Sequence, residues 1–255
     1  MVKRYSDKFS VREVPMLRLV WVVFVNLFHI IYYVPKMAYY GKHPEKYSEE
    51  VRYKLARKLF IRIQKSARVK TEYYGVENLP REEGGYILYS NHQGKYDTAG
   101  IIASHERPLA VLMDKKRSKL PVVDQFMDLM QSQRLDKSSL RQQIAVLKAI
   151  AKEVSEGRVY LIYPEGGYEK DQGNNMGEFK HGCFSCATRA KCTIVPVVVV
   201  DSYIPFSYNS IKKVTTKVIY LPPVRYEEYQ DMSAAEVSEM VRGLIETELN
   251  KWVNK

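Results

Sequence analysis

Within the stretch YSNHQGKYDTAG, which runs from Tyr89 to Gly100, a histidine follows a short apolar run and an aspartate follows that histidine by five positions. A carboxylate on Nδ1 of an imidazole fixes its tautomer and supports its cationic form, which leaves Nε2 free to act as a general base toward a hydroxyl. The spacing sets a geometric condition. Positions i and i+5 of one helix lie about 140° apart. His92 and Asp97 therefore meet only if His92 sits just off a strand and Asp97 in the first turn of the following helix, with Gly94 allowing the loop between them to fold back. No G-x-S-x-G elbow occurs in the chain, so the hydroxyl to be activated belongs to a substrate, not to an enzyme serine. H-x-x-x-x-D also arises by chance near ordinary helix caps, and the pair alone does not decide between the two.

The elements around the pair can place it. VKTEYY (69–74), YILYS (86–90), PLAVLM (108–113), VYLIY (159–163), TIVPVVVV (193–200) and VTTKVIYL (214–221) read as strands. Between them, 98–104 and 121–130 have helical spacing. A clear helix follows Ser138–Ser139 with Leu140, Ile144, Leu147, Ala151 and Val154 as its apolar positions and Gly157 as its end. Ser233 and Glu236 form a capping box for a last helix with a stripe of Val237, Val241, Leu244 and Ile245. Strands alternating with crossover-length helices predict an α/β domain with a largely parallel central sheet, and ligands bind beyond the carboxyl ends of such strands. SNHQ and PEGG both fall there.

The first part of the chain reads differently. Residues 1–14 are polar and mixed in charge, and the stretch after them is the most hydrophobic of the chain, with 17 uncharged positions between Arg18 and Lys36. A spanning helix wants about 20 predominantly apolar residues, and this stretch contains Asn26, His29 and Pro35. No small-residue cleavage site follows, so it does not read as a removed signal. Arg18, Lys36 and several tyrosines flank it as interface anchors. From Ser48 to Ala67, Val51, Leu55, Leu59 and Ile63 face one way, while Arg52, Lys54, Arg57, Lys58, Arg62 and Lys65 face the other. The pattern predicts a monotopic segment lying on or dipping into one leaflet, with a single span, or a core helix packed on the domain, as the alternatives. The division expected is a membrane-association segment over 1–68 and an α/β domain over 69–255, with its motif core at 86–205.

The chain carries 40 Lys+Arg against 29 Asp+Glu, a net charge of +11, over 255 residues of which 45% are hydrophobic. That suits a folded domain drawn to anionic lipid or phosphorylated small molecules. No nucleic-acid-binding motif accompanies the charge, and no nucleic-acid partner is expected. Cys183, Cys186 and Cys192 form no disulfide framework. The C-x-x-C beside His181 has no second ligand pair, so no metal is expected.

The block NHQGKYD is similar to the N-H-x-x-x-x-D block of the 1-acyl-glycerol-3-phosphate (lysophosphatidate) acyltransferases, within the glycerophospholipid acyltransferase superfamily. QRLDKSSLRQ resembles that family's second block, YPEGG (163–167) its third, FKHG (179–182) the F-K-x-G that follows, and IVPVVV (194–199) its proline-centred fourth. GVENLP (75–80) ahead of them is also typical. The resemblance covers about residues 70–205. It implies a glycerol-3-phosphate-acyltransferase-like fold behind a membrane-associating N-terminal extension. It also implies transfer of a fatty acyl group from an acyl thioester, on coenzyme A or acyl carrier protein, to a lysophospholipid hydroxyl, with no further cofactor. By position His92 is the base and Asp97 its orienter. The acceptor most directly implied is 1-acyl-glycerol-3-phosphate, giving phosphatidic acid at the cytoplasmic face of a membrane.

Two blocks depart from the family pattern. The second block is expected to end in arginine. The register puts Lys137 there, with Arg134 three residues earlier, and both are candidate phosphate ligands. In the third block Glu165 and Gly166 match the acidic-glycine core, and Glu165 is expected either to position basic side chains or to hold the loop. Gly167–Tyr168 stands where threonine–arginine is expected, which removes one cation from the phosphate neighbourhood. Lys180, Lys170, Lys115 and Lys116 are the candidates to replace it. These departures leave room for a different lysolipid acceptor, or for a catalytically silent lipid-binding protein on the same fold.

Overall fold

A computed structural model describes residues 17–169 and 172–253. Seven strands form one sheet: β1 (Val69–Tyr74), β2 (Tyr86–Ser90), β3 (Leu109–Asp114), β4 (Gln133–Leu135), β5 (Val159–Ile162), β6 (Thr193–Val200) and β7 (Val214–Tyr220). Their order is β1-β7-β6-β2-β5-β3-β4, and every neighbouring pair is parallel except β6–β7. The largely parallel α/β sheet predicted from the sequence is therefore the sheet observed. The three-residue strand β4 at one edge was not expected, because three residues carry too little alternation to read.

Successive side chains of a strand point to opposite faces, and strands buried on both faces are apolar throughout. Here Ile87, Tyr89, Tyr160 and Ile162 enter one core, against α6 (Leu140–Ser155) and α9 (Ala234–Val253). Leu88, Leu161, Val197 and Val199 enter the other. That second core is closed by α3 (Glu49–Ser66), α4 (Asp97–Ser104) and α5 (Val123–Leu129). Ser139 caps α6 by accepting the N–H of Gln142 at 3.3 Å. The predicted Ser233/Glu236 box caps α9, its two bonds measuring 2.7 and 3.3 Å.

Some predicted stripes are rotated. In α6 the buried residues are Val146, Ile150, Ala151 and Val154, whereas Leu140 and Ile144 are exposed. In α9 Leu244 is exposed and Leu249 is buried. In α3 Val51 is exposed, and Arg52, read as part of the basic face, is buried: its guanidinium donates to the carbonyls of Leu129 and Tyr47. A long arginine can sit in a core where backbone carbonyls satisfy it, and hydropathy alone does not reveal this.

The apolar N-terminal stretch forms α1 (Leu17–Val25) and α2 (Leu27–Lys42), bent by 79° at Asn26. Neither is long and apolar enough to cross a membrane alone. The Asn26 side chain donates to the carbonyl of Val22 and to Ser66 and accepts from Arg62, pinning the bend to the end of α3. Arg18 is buried, not an interface anchor, and its guanidinium donates to the carbonyls of Ala67 and Lys212. Met37 of α2 and Tyr53, Ala56 and Leu59 of α3 share the sheet's own core. The division drawn at residue 68 thus separates two sequence patterns within one packed body. Residues 1–14 lie outside the described residues.

Candidate active site

The carboxyl ends of β2, β5, β6 and β3 open onto the same edge of the sheet, where parallel strands deliver their loops. From β2 the chain passes through Asn91, His92 and Gln93 into α4, whose first residue is Asp97. His92 Nδ1 lies 2.7 Å from Asp97 Oδ2. The main-chain N–H groups of Gln93 and Gly94 donate to that same oxygen at 2.6 and 3.0 Å. Asp97 is fully buried, and its Oδ1 finds no partner among the described residues. An ionised carboxylate only accepts, so the proton of the neutral imidazole resides on Nδ1 and Nε2 is left bare. The His92 side chain keeps 16% of its surface exposed. The predicted condition for the two residues to meet is thereby fulfilled in the geometry. Gly94 serves it by close approach: a Cβ there would stand 3.1 Å from the Cα of Tyr203.

The side chains beside His92 stitch its loop in place. Asn91 exchanges two hydrogen bonds with the main chain of Val199, at 2.8 and 3.0 Å, continuing the β2–β6 ladder with an amide side chain. Gln93 accepts the N–H of Ser202 and donates to Asn174, which in turn bonds Asp201. Glu165, from the turn after β5, accepts the main-chain N–H of His92 at 2.6 Å through Oε1, and the Gln172 side-chain amide and the main-chain N–H of Gly177 through Oε2. A Cβ on Gly177 would stand 2.8 Å from that Oε2. Burial pushes the Glu165 carboxyl up, and its three donors oppose the shift. Its contacts are those of the loop-holding role, one of the two expected of it.

Two tyrosines enclose the imidazole. Tyr163 stacks on it at 4.1 Å between ring centroids and anchors its own hydroxyl to Thr98. Tyr168 meets the ring edge-on at 4.7 Å. Burial pushes both phenols up, so they are neutral at physiological pH. Nothing in the sequence by itself marks Tyr163, Asn91, Gln93, Gln172 or Asn174 for a role beyond their proximity to SNHQ and PEGG.

The cations separate into two groups. Lys137 donates to the carbonyl of Gly166 at 2.6 Å, and Lys180 lies along Gly166, its Nζ 3.2 Å from where a Cβ would stand. Gly166 itself has φ +70°, which glycine adopts without strain. Arg134 is not brought there. Its guanidinium pairs with Asp124 and Asp128, at 2.9 and 2.7 Å. Lys115 pairs with Asp136. Lys170 lies outside the described residues. Arg117, which the sequence reading did not single out, lies over the Tyr168 ring at 5.2 Å. Away from this site, the thiols of Cys186 and Cys192 are buried and pushed up to about 12, and that of Cys183 higher still; all three cysteines are free.

Comparison with known proteins bears on the family and the fold. A family model described as Acyltransferase matches residues 70–200. A probable 1-acyl-sn-glycerol-3-phosphate acyltransferase of Mycoplasma pneumoniae is 26% identical over 199 residues, 76% of this chain and 73% of that protein. The 1-acyl-sn-glycerol-3-phosphate acyltransferase of Saccharomyces cerevisiae is 28% identical over 171 residues, 66% of this chain and 56% of its own length. A chloroplastic relative in Brassica napus matches over 38% of its length. The crystal structure of the 1-acyl-sn-glycerophosphate acyltransferase of Thermotoga maritima superposes with a TM-score of 0.74 over 93% of this chain and 96% of that one, at 16% identity. At that identity the likeness speaks to the fold.

Proposed function

The chain belongs to the acyltransferase family, and from that premise we propose that it esterifies the free hydroxyl of 1-acyl-glycerol-3-phosphate with a fatty acyl group drawn from an acyl thioester, giving phosphatidic acid. The observation that carries the reading is the His92–Asp97 pair, in which Asp97 holds Nδ1 and leaves Nε2 unprotonated on a side chain that keeps 16% of its surface exposed. Nε2 takes the proton of the acceptor hydroxyl as its oxygen attacks the thioester carbonyl. The C–O bond forms, the tetrahedral intermediate collapses, the C–S bond breaks, and the departing thiolate receives the proton from the imidazolium. Asp97 stabilises that imidazolium from the Nδ1 side. The donor is acyl-coenzyme A or acyl carrier protein, and no further cofactor takes part. Relatives named for this activity, at 26–28% identity, support the acceptor. Lys137 and Lys180 are the cations that support a phosphate beside the turn after β5.

The acceptor and product are lipids, and the exposed apolar face of α1 and α2, with Phe24 at 72% and Phe28 at 85% exposure, supports monotopic docking on one leaflet of a membrane. The test is a matrix of acyl donors against lysolipid acceptors with detergent-solubilised full chain and its His92→Ala variant. Transfer to 1-acyl-glycerol-3-phosphate that disappears in the variant, with the fold intact by circular dichroism, is the expected result. Substantial turnover in His92→Ala refutes the mechanism.

A further inference from the structure

Three cations converge on the Gly166–Gly167 turn. Lys180 Nζ lies 3.2 Å from where a Cβ on Gly166 would stand, and Arg117 Nη1 and Lys137 Nζ each lie 4.0 Å from where one on Gly167 would stand. The space a side chain at 167 would fill is therefore a notch bounded by a guanidinium and an ammonium. Lys137 is partly committed, donating to the Gly166 carbonyl and lying 3.7 Å from Asp114. The Arg117 guanidinium has no carboxylate partner among the described residues. What orients it is the Tyr168 ring, 5.2 Å beneath it. Asp114 Oδ1 fixes the loop below by accepting the N–H groups of Lys116 and Arg117, both at 3.0 Å. The same Tyr168 ring stands edge-on against His92. One aromatic side chain thus sets the position of the uncommitted guanidinium relative to the proposed base.

We propose that Arg117 is the specificity-determining residue that selects an acceptor bearing a phosphate monoester, with Tyr168 holding its guanidinium beside the Gly167 notch. This rests on the acyl-transfer reading above. A guanidinium presents a planar fork that binds two phosphoryl oxygens at once, whereas an ammonium binds as a point charge. With Lys137 partly neutralised, Arg117 supplies the directional contact to the dianion. A glycerol unit whose hydroxyl rests on Nε2 reaches across the Tyr168 ring with its phosphoryl group toward the notch.

The experiment uses the full chain in detergent micelles, with 1-acyl-glycerol-3-phosphate and the phosphate-free 1-acyl-glycerol as acceptors and one saturating acyl donor. Arg117→Gln is expected to lower the ratio of kcat/KM for the phosphate acceptor over the neutral one by about ten-fold or more, through KM more than kcat. Arg117→Lys is expected to recover part of the ratio. Arg117→Gln combined with Tyr168→Arg, which returns a guanidinium from the neighbouring position, is expected to recover more of it. A ratio that moves less than about two-fold in Arg117→Gln, or a wild-type chain with no preference for the phosphate acceptor, overturns the proposal. His92→Ala separates the two readings. Loss of all transfer there, with an unmoved Arg117→Gln ratio, leaves the base intact and removes Arg117 from acceptor selection.

Discussion

Glu165 and His92 meet through the main chain: a carboxylate oxygen from the turn after β5 accepts the backbone N–H of the histidine at 2.6 Å. The neighbouring strand of the sheet thereby positions the proposed base without touching its ring. The other oxygen gathers the segment containing Gln172 and Gly177 against the same turn. Asp97 does the complementary work, gripping the imidazole and two main-chain N–H groups with one oxygen. Two buried acids therefore fix the backbone and the side chain of one residue separately.

Glu165→Gln tests the backbone half. The two oxygens of Glu165 face only donors, so either orientation of an amide puts an NH2 group against an N–H. We expect a loss of about 1–3 kcal/mol in stability and a fall in kcat on the order of 10–100-fold, measured by urea unfolding and steady-state kinetics on the same preparation. Glu165→Asp, one methylene too short to span both contacts, is expected to fall in kcat as well. Wild-type kcat in Glu165→Gln would show that this carboxylate does not position His92.

Asp97→Asn tests the side-chain half. The amide oxygen can still accept from Nδ1–H, Gln93 and Gly94, so the loop geometry survives while the charge that supports the imidazolium is gone. We expect kcat to fall on the order of 10²–10⁴-fold with the melting temperature close to that of the wild type. A variant within about three-fold of wild type in kcat would leave Asp97 a structural residue of the loop.

The core of this device was legible because its two reactive groups lie close in sequence and the strand before them is mostly apolar. Ile87, Leu88 and Tyr89 lead through Ser90 into Asn91 and His92. What escaped notice has identifiable causes. Arg117 sits in the run KKRSK, where nothing distinguishes one charge from its neighbours until Tyr168 arrives from the turn after the adjacent strand β5. Arg18 reads as an interface anchor and Arg52 as part of a basic helix face because sequence does not show the carbonyls that receive them. In α6 the positions Leu140 and Ile144 fit a 3.6-residue period as well as Val146 and Ile150 do, and only the sheet decides which of the two faces is buried. Register put Lys137 at the end of the second block but left open whether it or Arg134 takes the phosphate. The carboxylates of Asp124 and Asp128, from α5, separate them.

His105 gives the fold a pH dependence of its own. It is fully buried between the Tyr86 hydroxyl at Nε2 and the Arg107 carbonyl at Nδ1, both at 2.8 Å. Burial lowers it from the usual 6.5 to about 4, aided by the nearby Arg107 and Arg57 charges and opposed by the bond to the Arg107 carbonyl. The unfolded chain binds this proton below pH 6.5 and the folded chain only near pH 4, so stability is lost as pH falls between those values. The loss reaches roughly 3 kcal/mol. Glu165, whose carboxyl is raised, acts in the opposite sense just above its ordinary 4.5. The comparison is therefore made against a variant. Urea unfolding of wild type and His105→Gln at pH 4.5, 5.5 and 6.5 should give a shallower pH slope in the variant, whatever its absolute stability. Equal slopes would place the titration elsewhere.

The bent pair α1 and α2 is expected to hold the protein on a membrane by two forces of different salt dependence. Phe24, Phe28 and Ile31 form an exposed apolar face. Beside it, a cleft of about 840 Å³ between these helices and α3 is lined by Lys58, Arg62, Lys65 and Arg68 together with Trp21 and Tyr33. Cations there are screened by salt, whereas buried phenyl rings are not. In sedimentation with vesicles of phosphatidylglycerol and phosphatidylcholine, raising the salt should weaken binding of the wild type without abolishing it. The double variant Phe24→Ser/Phe28→Ser should bind about ten-fold or more weakly, since each ring is worth up to about 1.5–3 kcal/mol when fully withdrawn from water and less at an interface. Its residual binding should be the part that salt removes. Complete release of the wild type by salt alone would mean that the apolar face never enters the leaflet, and that the charges of the cleft and of α3 carry the attachment.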